Sequence, residues 1–182
     1  MNNEKLREEL QKIASDKDVS AHAKKIEYLC SEFTCSIKVL NEYDSEKRET
    51  FNCFEYALGL NTNVPISVRD ILAELGAPVD CQFIEYLRKS GDLPEIEESK
   101  LQENDLVIYF LNSKAHHASR WNNGTVTSKW GSGLLYNHKV YEAPVKYGEP
   151  RFFSGIQSIL AKKRFIEYAG GKGISEEHLP DA

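Results

Sequence analysis

The Asn123-Gly124 pair constrains this chain more than any other feature. A two-residue turn with both φ angles positive is the commonest link in a tight β-hairpin, and Asn-Gly suits it best. β-Forming residues flank the pair, His117–Asn122 before it and Thr125–Trp130 after it, so an antiparallel ladder is predicted in the second half. Asp105–Phe110 (Asp-Leu-Val-Ile-Tyr-Phe) and Val140–Ala143 read as two further strands of the same sheet. The first half has a different period. Leu6, Leu10 and Ile13 recur at helical spacing, as do Ile26, Leu29 and Phe33 behind an Asp18/Ser20 cap. A short strand at residues 36–40 and a polar loop over 41–50 follow. A helix starting near Asn52 stops at Gly59 before a turn over Asn61–Pro65. Ser67 and Asp70 form a capping-box-like start to a helix through Leu75, Asp80 caps another, and residues 155–168 form a terminal helix. Helices first and antiparallel strands afterwards describe an α+β domain.

At 182 residues one core is expected, and the 41% hydrophobic fraction fits a globular chain. No run approaches the ~20 apolar residues that span a bilayer, so no membrane partner is expected. The charged opening segment reads as no secretory signal, which makes the cytoplasm the expected compartment. Cys30, Cys35, Cys53 and Cys81 contain no Cys-x-x-Cys pair, so no metal and no cofactor is expected. In a reducing compartment all four are expected as thiols. With 28 acidic against 23 basic side chains the net charge is -5, which repels a phosphate backbone and argues against nucleic acid. Lys162, Lys163 and Arg164 read as a solvated helix face.

A thiol attacks an acyl carbon only as thiolate, which a helix N-terminus and a nearby imidazolium favour. Cys53 opens a helix and Asn52 is placed to cap it, so the sulfur is expected near the positive end of the helix dipole. His116 and His117 open a strand and alternate between its faces, so only one can face Cys53. Counting back from the Asn-Gly turn pairs Asn122 with Thr125 and Ser119 with Ser128, which sets His117 opposite Trp130. Ser128 then offers a hydrogen bond and Trp130 an apolar cover to the imidazole, the two supports that a catalytic histidine needs. Each residue also has an ordinary structural reading: a small buried thiol, a packed histidine pair, a core tryptophan.

These residues resemble the papain-like cysteine hydrolases, in particular the bacterial NlpC-type peptidases. Phe-Asn-Cys53 ahead of a helix is similar to the Asp-Cys-Ser-Gly nucleophile segment. Glu-Asn-Asp105-Leu-Val-Ile-Tyr-Phe is similar to the Gly-Asp-Leu-Val-Phe-Phe strand, and His117-Ala-Ser takes the place of His-Val-Gly. Ser128-Lys-Trp-Gly131 resembles the Asn-Ser-Trp-Gly of papain. Asn52 stands where the family has an acid, and Phe54-Glu55 where it has Ser-Gly. The resemblance covers residues 43–148 and implies a papain-like fold of NlpC type, with N-terminal helices packed on a C-terminal antiparallel sheet. It implies a helical extension over 1–35, a catalytic domain over 36–169 and a flexible tail over 170–182. It also implies Cys53 as nucleophile, His117 as base and Ser128 as the orienting residue, with Lys129 or His138 as alternatives for that role. Tyr43 resembles the tyrosine of the oxyanion site, beside the Cys53 N–H; Asn52 and Trp130 are supporting residues.

The function implied is hydrolysis of a peptide or isopeptide bond in a peptide or protein substrate. Deamidation or acyl transfer of effector or toxin type uses the same nucleophile. A binding or immunity module on an inert scaffold is the reading from a different class.

Overall fold

The computed structural model describes residues 3–40, 51–131 and 133–175. At its centre lies a seven-stranded sheet in the order β1-β6-β5-β4-β3-β7-β2, antiparallel at every pairing. Four strands form its middle: β3 (Leu106–Leu111), β4 (Lys114–Asn122), β5 (Thr125–Lys129) and β6 (Leu135–His138). The edges are β1 (Lys38–Val39) on one side, and β7 (Glu149–Phe153) with β2 (Glu95–Ile96) on the other. The expected hairpin is present: Asn123 and Gly124 have φ of 42° and 90°, and Asn122 pairs with Thr125. A second tight turn, Asn112-Ser113, joins β3 to β4 through two further positive φ angles.

β3 is buried almost throughout, as a strand covered on both faces must be. Leu106, Ile108 and Phe110 point into one layer, Val107 and Tyr109 into the other. The first layer holds α3 (Cys53–Leu58), α4 (Leu60–Asn63), α5 (Ile66–Glu74), α6 (Cys81–Lys89) and α7 (Ser158–Gly171). Its core includes Leu58, Leu60, Leu72, Phe83, Leu87 and Phe165, each contributing roughly 1.5–3 kcal/mol by leaving water. The second layer holds α1 (Asn3–Ala14) and α2 (His22–Phe33). Their buried Leu6, Leu10, Ile13, Ile26 and Leu29 meet Trp130, Tyr136 and Tyr147 across the sheet. The segment before residue 36 is therefore one of the two layers that enclose the sheet, and α7 continues past residue 169 to Gly171.

The architecture is α+β, as the hydrophobic periods predict, with several local corrections. The fourth strand is Leu135–His138 rather than Val140–Ala143: Tyr136 and His138 alternate inward, while Val140 and Ala143 are buried outside any strand. β7 and β2 carry no strand signal strong enough to read, because Pro150 interrupts one and the other has two residues. α5 begins at Ile66 behind Pro65, with no side-chain cap from Ser67; the fixed φ of proline sets the start instead. The Asn61–Pro65 turn holds the helical turn α4. Asp18 and Ser20 bond to each other across a 3-10 turn at Val19–Ala21, so α2 starts uncapped at His22. Asp80 does cap α6, accepting from the N–H groups of Gln82 and Phe83.

Cys30 and Cys35 form a disulfide rather than remaining thiols. α2 ends on Thr34 in the left-handed region, with φ 55°. That reversal folds the chain back until the two Cα atoms are 4.6 Å apart, within the range a disulfide spans. Cys53 and Cys81 are free thiols. Among the described residues no helix is long and apolar enough to cross a membrane.

Candidate active site

Cys53 is the first residue of α3, and the cap expected from Asn52 is complete. Asn52 Oδ1 accepts from the N–H groups of Phe54 and Glu55 at 2.8 and 3.0 Å, while Glu55 Oε2 accepts from the Asn52 N–H at 2.7 Å. Asn52 Nδ2 also donates to the Val79 carbonyl at 3.0 Å, tying the helix start to the loop before α6. This accounts for glutamate at position 55: it closes the capping box and pairs with Arg69 at 2.9 Å in the protein interior. A buried carboxylate with two such partners fixes the pitch of α3 on the sheet, and removing either partner strands a charge.

The Cys53 side chain packs into the helical layer against β4. Regular alternation would make Ala118 and Lys129 the next hydrogen-bonded pair after Asn122/Thr125 and Arg120/Thr127. The ladder stops at Arg120/Thr127, and the two strands diverge beyond it. Burial pushes the Cys53 thiol up to about 11, and the nearby backbone at Ala118, Phe54 and Cys53 itself acts in the other direction without offsetting it.

His117 lies one residue from Ala118 but points through the opposite face of the sheet. A β-bulge leaves His116 exposed, while His117 is buried on the face it shares with Ser119. The His117 ring stacks on Tyr147 with centroids 4.0 Å apart at 9°, and packs at 5.5 Å from Tyr109. His117 Nε2 is buried with no hydrogen-bond partner among the described residues. Burial, reinforced by nearby His138, holds this imidazole well below its usual range, so it is neutral. Cys53 and His117 thus sit on adjoining segments at the mouth between β4 and β5, without a hydrogen bond between them.

Ser128 does not orient His117. Its Oγ pairs with His138 Nε2 at 2.9 Å and accepts from Trp130 Nε1 at 3.0 Å. His138 Nδ1 faces the Lys139 carbonyl at 2.8 Å, and burial brings this ring down to about 4. Trp130 is fully buried, stacked on Tyr136 at 4.3 Å and edge-on to His138 at 5.2 Å. It therefore covers His138, while Tyr147 covers His117. Lys129 points the other way, its Nζ donating to the Gly133 carbonyl at 3.1 Å and lying 4.6 Å from the centre of the Phe51 ring. Tyr43 lies outside the described residues. No cluster of histidine, cysteine and carboxylate side chains suited to a metal occurs among the described residues.

Tyr147 is the neighbour that sequence reasoning missed. Its hydroxyl is buried with no partner among the described residues, and its pKa is raised by burial first and by the nearby Cys53 next. The turn that carries it is fixed by Gly148 (φ 89°), where a Cβ would stand 2.0 Å from the Phe110 carbonyl oxygen. Arg7 of α1 clamps the same turn: Nε donates to the Ala143 carbonyl at 3.2 Å, Nη2 to the Gly148 carbonyl, and Nη1 to Glu149 at 2.9 Å. A Tyr-Gly pair at a loop end is the one signal in the sequence, and it marks a turn without indicating what the ring touches.

Neither a curated protein nor a solved structure matches the chain. One family model does, over residues 42–154, which takes in the helical layer from α3 to α6 and the sheet from β2 to β7. The residues matched include Cys53, His117, Ser128, His138 and Tyr147, and the chain belongs to the family described as a domain of unknown function, DUF7689.

Proposed function

We propose that the protein is a thiol hydrolase of papain-like, NlpC-type fold that cleaves an amide bond in a peptide or protein, with Cys53 as nucleophile and His117 as base. One observation carries this reading: Cys53 opens a capped helix packed against β4, beside the residue that follows a buried imidazole whose Nε2 has no partner among the described residues. In the reaction His117 takes the thiol proton and sulfur adds to the carbonyl carbon. The Cys53 N–H is available to the oxyanion. Collapse expels the amine with the proton from His117, and water, deprotonated by His117, releases the acyl group as a carboxylate. Ser128 holds His138 rather than the base, and Tyr147 is the residue that holds His117. Deamidation and acyl transfer would use the same steps with another leaving group or acceptor. Cytoplasmic residence would leave Cys30 and Cys35 reduced, so their bond favours an oxidising compartment.

The inert-scaffold reading has its own support in the neutral state of both groups and the face reversal of His117. Resting geometry must change for chemistry, since catalytic hydrogen bonds often close only with substrate bound. Alkylation by iodoacetamide across pH 5–8, mapped by mass spectrometry, separates the two. The enzyme reading expects Cys53 to outpace Cys81 and to lose about a hundredfold in rate in His117→Ala. A wild-type Cys53 slower than Cys81, with no change in His117→Ala, leaves the scaffold reading.

A further inference from the structure

Away from Cys53, α6, the Asn112-Ser113 turn and α7 enclose a cleft of about 750 Å³. Its charge is opposite to that of the chain. Arg88, Lys89, Lys114, Arg151 and Lys172 line it with Glu85 as the sole lining carboxylate, in a protein of net charge -5. Glu85 pairs with Arg88 and Lys89, and Glu95 reaches Arg151 from outside the lining, which sets five cations against two carboxylates among the described residues. Lys114 has no ion pair among the described residues.

The floor is aromatic. Arg88 and Arg151 hold their guanidinium groups 5.3 and 4.9 Å from the centre of the Phe110 ring, one from each side of the cleft. Lys172 lies 5.2 Å from the ring centre of Tyr168. The cations are thus fixed over apolar surface rather than swept through solvent. Tyr168 is 7% exposed, and its hydroxyl is buried with no partner among the described residues. It is a donor in the cleft wall that the fold itself leaves unused. A buried unmade hydrogen bond costs about 1–3 kcal/mol, which an acceptor arriving in the cleft would recover.

We infer that this cleft is a docking site for a short acidic peptide segment, its carboxylates held by Lys114 and Lys172 and one apolar side chain set on the Phe110 floor. The screening length at physiological salt is about 8 Å, so a short segment responds to the local cations. A nucleic acid long enough to leave the cleft meets a chain of net charge -5. Cys81 lines the same cleft as a free, half-buried thiol, so occupancy can be read from its chemistry.

The site is tested by fluorescence anisotropy with a labelled decapeptide of Asp and Glu around one Phe, against its Lys-substituted counterpart and a single-stranded DNA of equal charge. The acidic peptide should bind, more weakly as salt rises, and slow alkylation of Cys81 but not of Cys53. Lys114→Glu combined with Lys172→Glu, both at the surface, should weaken it about tenfold or more without moving the melting temperature. Equal binding of the basic peptide, an unprotected Cys81 with peptide bound, or no effect of the double variant would overturn the proposal. Tighter binding of the DNA would overturn it in favour of a nucleic-acid partner. None of these readouts depends on whether Cys53 is catalytic.

Discussion

The two faces of the sheet are built from different chemistry. Toward α3–α7 the interior is aliphatic and phenylalanine-rich, with Leu58, Leu60, Leu72, Phe83 and Phe165 all fully buried. Toward α1–α2 the same depth holds His22, His117, His138, Ser119 and Ser128 among Tyr109, Trp130, Tyr136 and Tyr147. The aliphatic layer stabilises mainly through area and shape, and it also holds the buried Glu55–Arg69 pair. A layer of buried imidazoles and hydroxyls must satisfy every polar atom, and this one leaves His117 Nε2, Ser119 Oγ and Tyr147 Oη unmatched among the described residues. Apolar burial is therefore concentrated on one face and buried imidazoles on the other, with Cys53 where the β4–β5 ladder ends.

The sharpest way to break this contrast is to cut into the aliphatic side. Phe83→Ala removes a fully buried ring that packs on Phe165 at 5.3 Å and Tyr168 at 5.3 Å. It should cost about 3–5 kcal/mol in urea unfolding, by the same amount at pH 5 as at pH 6.5. A pH-dependent cost would blur the division between the layers.

The imidazole side should show the reverse behaviour. His138 is neutral in the fold and brought down to about 4, and His117 is shifted in the same direction. The unfolded chain takes up these protons near the ordinary value of about 6.5. Stability is thus fully present above about pH 6.5 and is lost as the pH falls toward 4. Between pH 6.5 and 5, where few carboxylates titrate, the loss should be roughly 1.5 kcal/mol from His138, with a further loss of the same sign from His117. A flat urea midpoint over that interval would show that the rings are not buried as described.

The smallest effect belongs to the start of α3. Asn52→Ala removes the cap of α3, with an expected cost of about 1 kcal/mol. It should also slow Cys53 alkylation relative to Cys81, because the helix start that favours the thiolate is loosened. Unchanged stability would mean that Glu55 and Arg69 hold α3 without it.

Much of this was readable beforehand where the local rule and the tertiary outcome coincide. Asn123-Gly124, the Asn52 cap, the Asp80 cap and the apolar periods of α1 and α2 all involve groups within four residues of one another. The pairing of Asn122 with Thr125 followed from the turn by counting. The count failed to show the opening of the ladder beyond Arg120, because that depends on α3 pressing against β4 from 60 residues away in sequence. It gave no face for His117, which regular alternation sets with Ser119 and Trp121 on the α1–α2 side, away from Cys53. Ser128 was correctly read as an imidazole's partner but matched to the wrong ring, since the strand that carries His138 was placed five residues too late. The Cys30–Cys35 bond was missed because the positive φ at Thr34 has no signature in a threonine.

Arg7 gives the chain's opening segment a weight that its position does not suggest. By gripping the Ala143 and Gly148 carbonyls it fastens α1 over the turn that presents Tyr147 to His117. A recombinant fragment begun at residue 36, or trimmed to the span the family model covers, would lay Val107, Trp130 and Tyr136 open to water and hydrate both imidazoles. The stretch that the family model matches therefore leaves one face of this sheet without its helical cover.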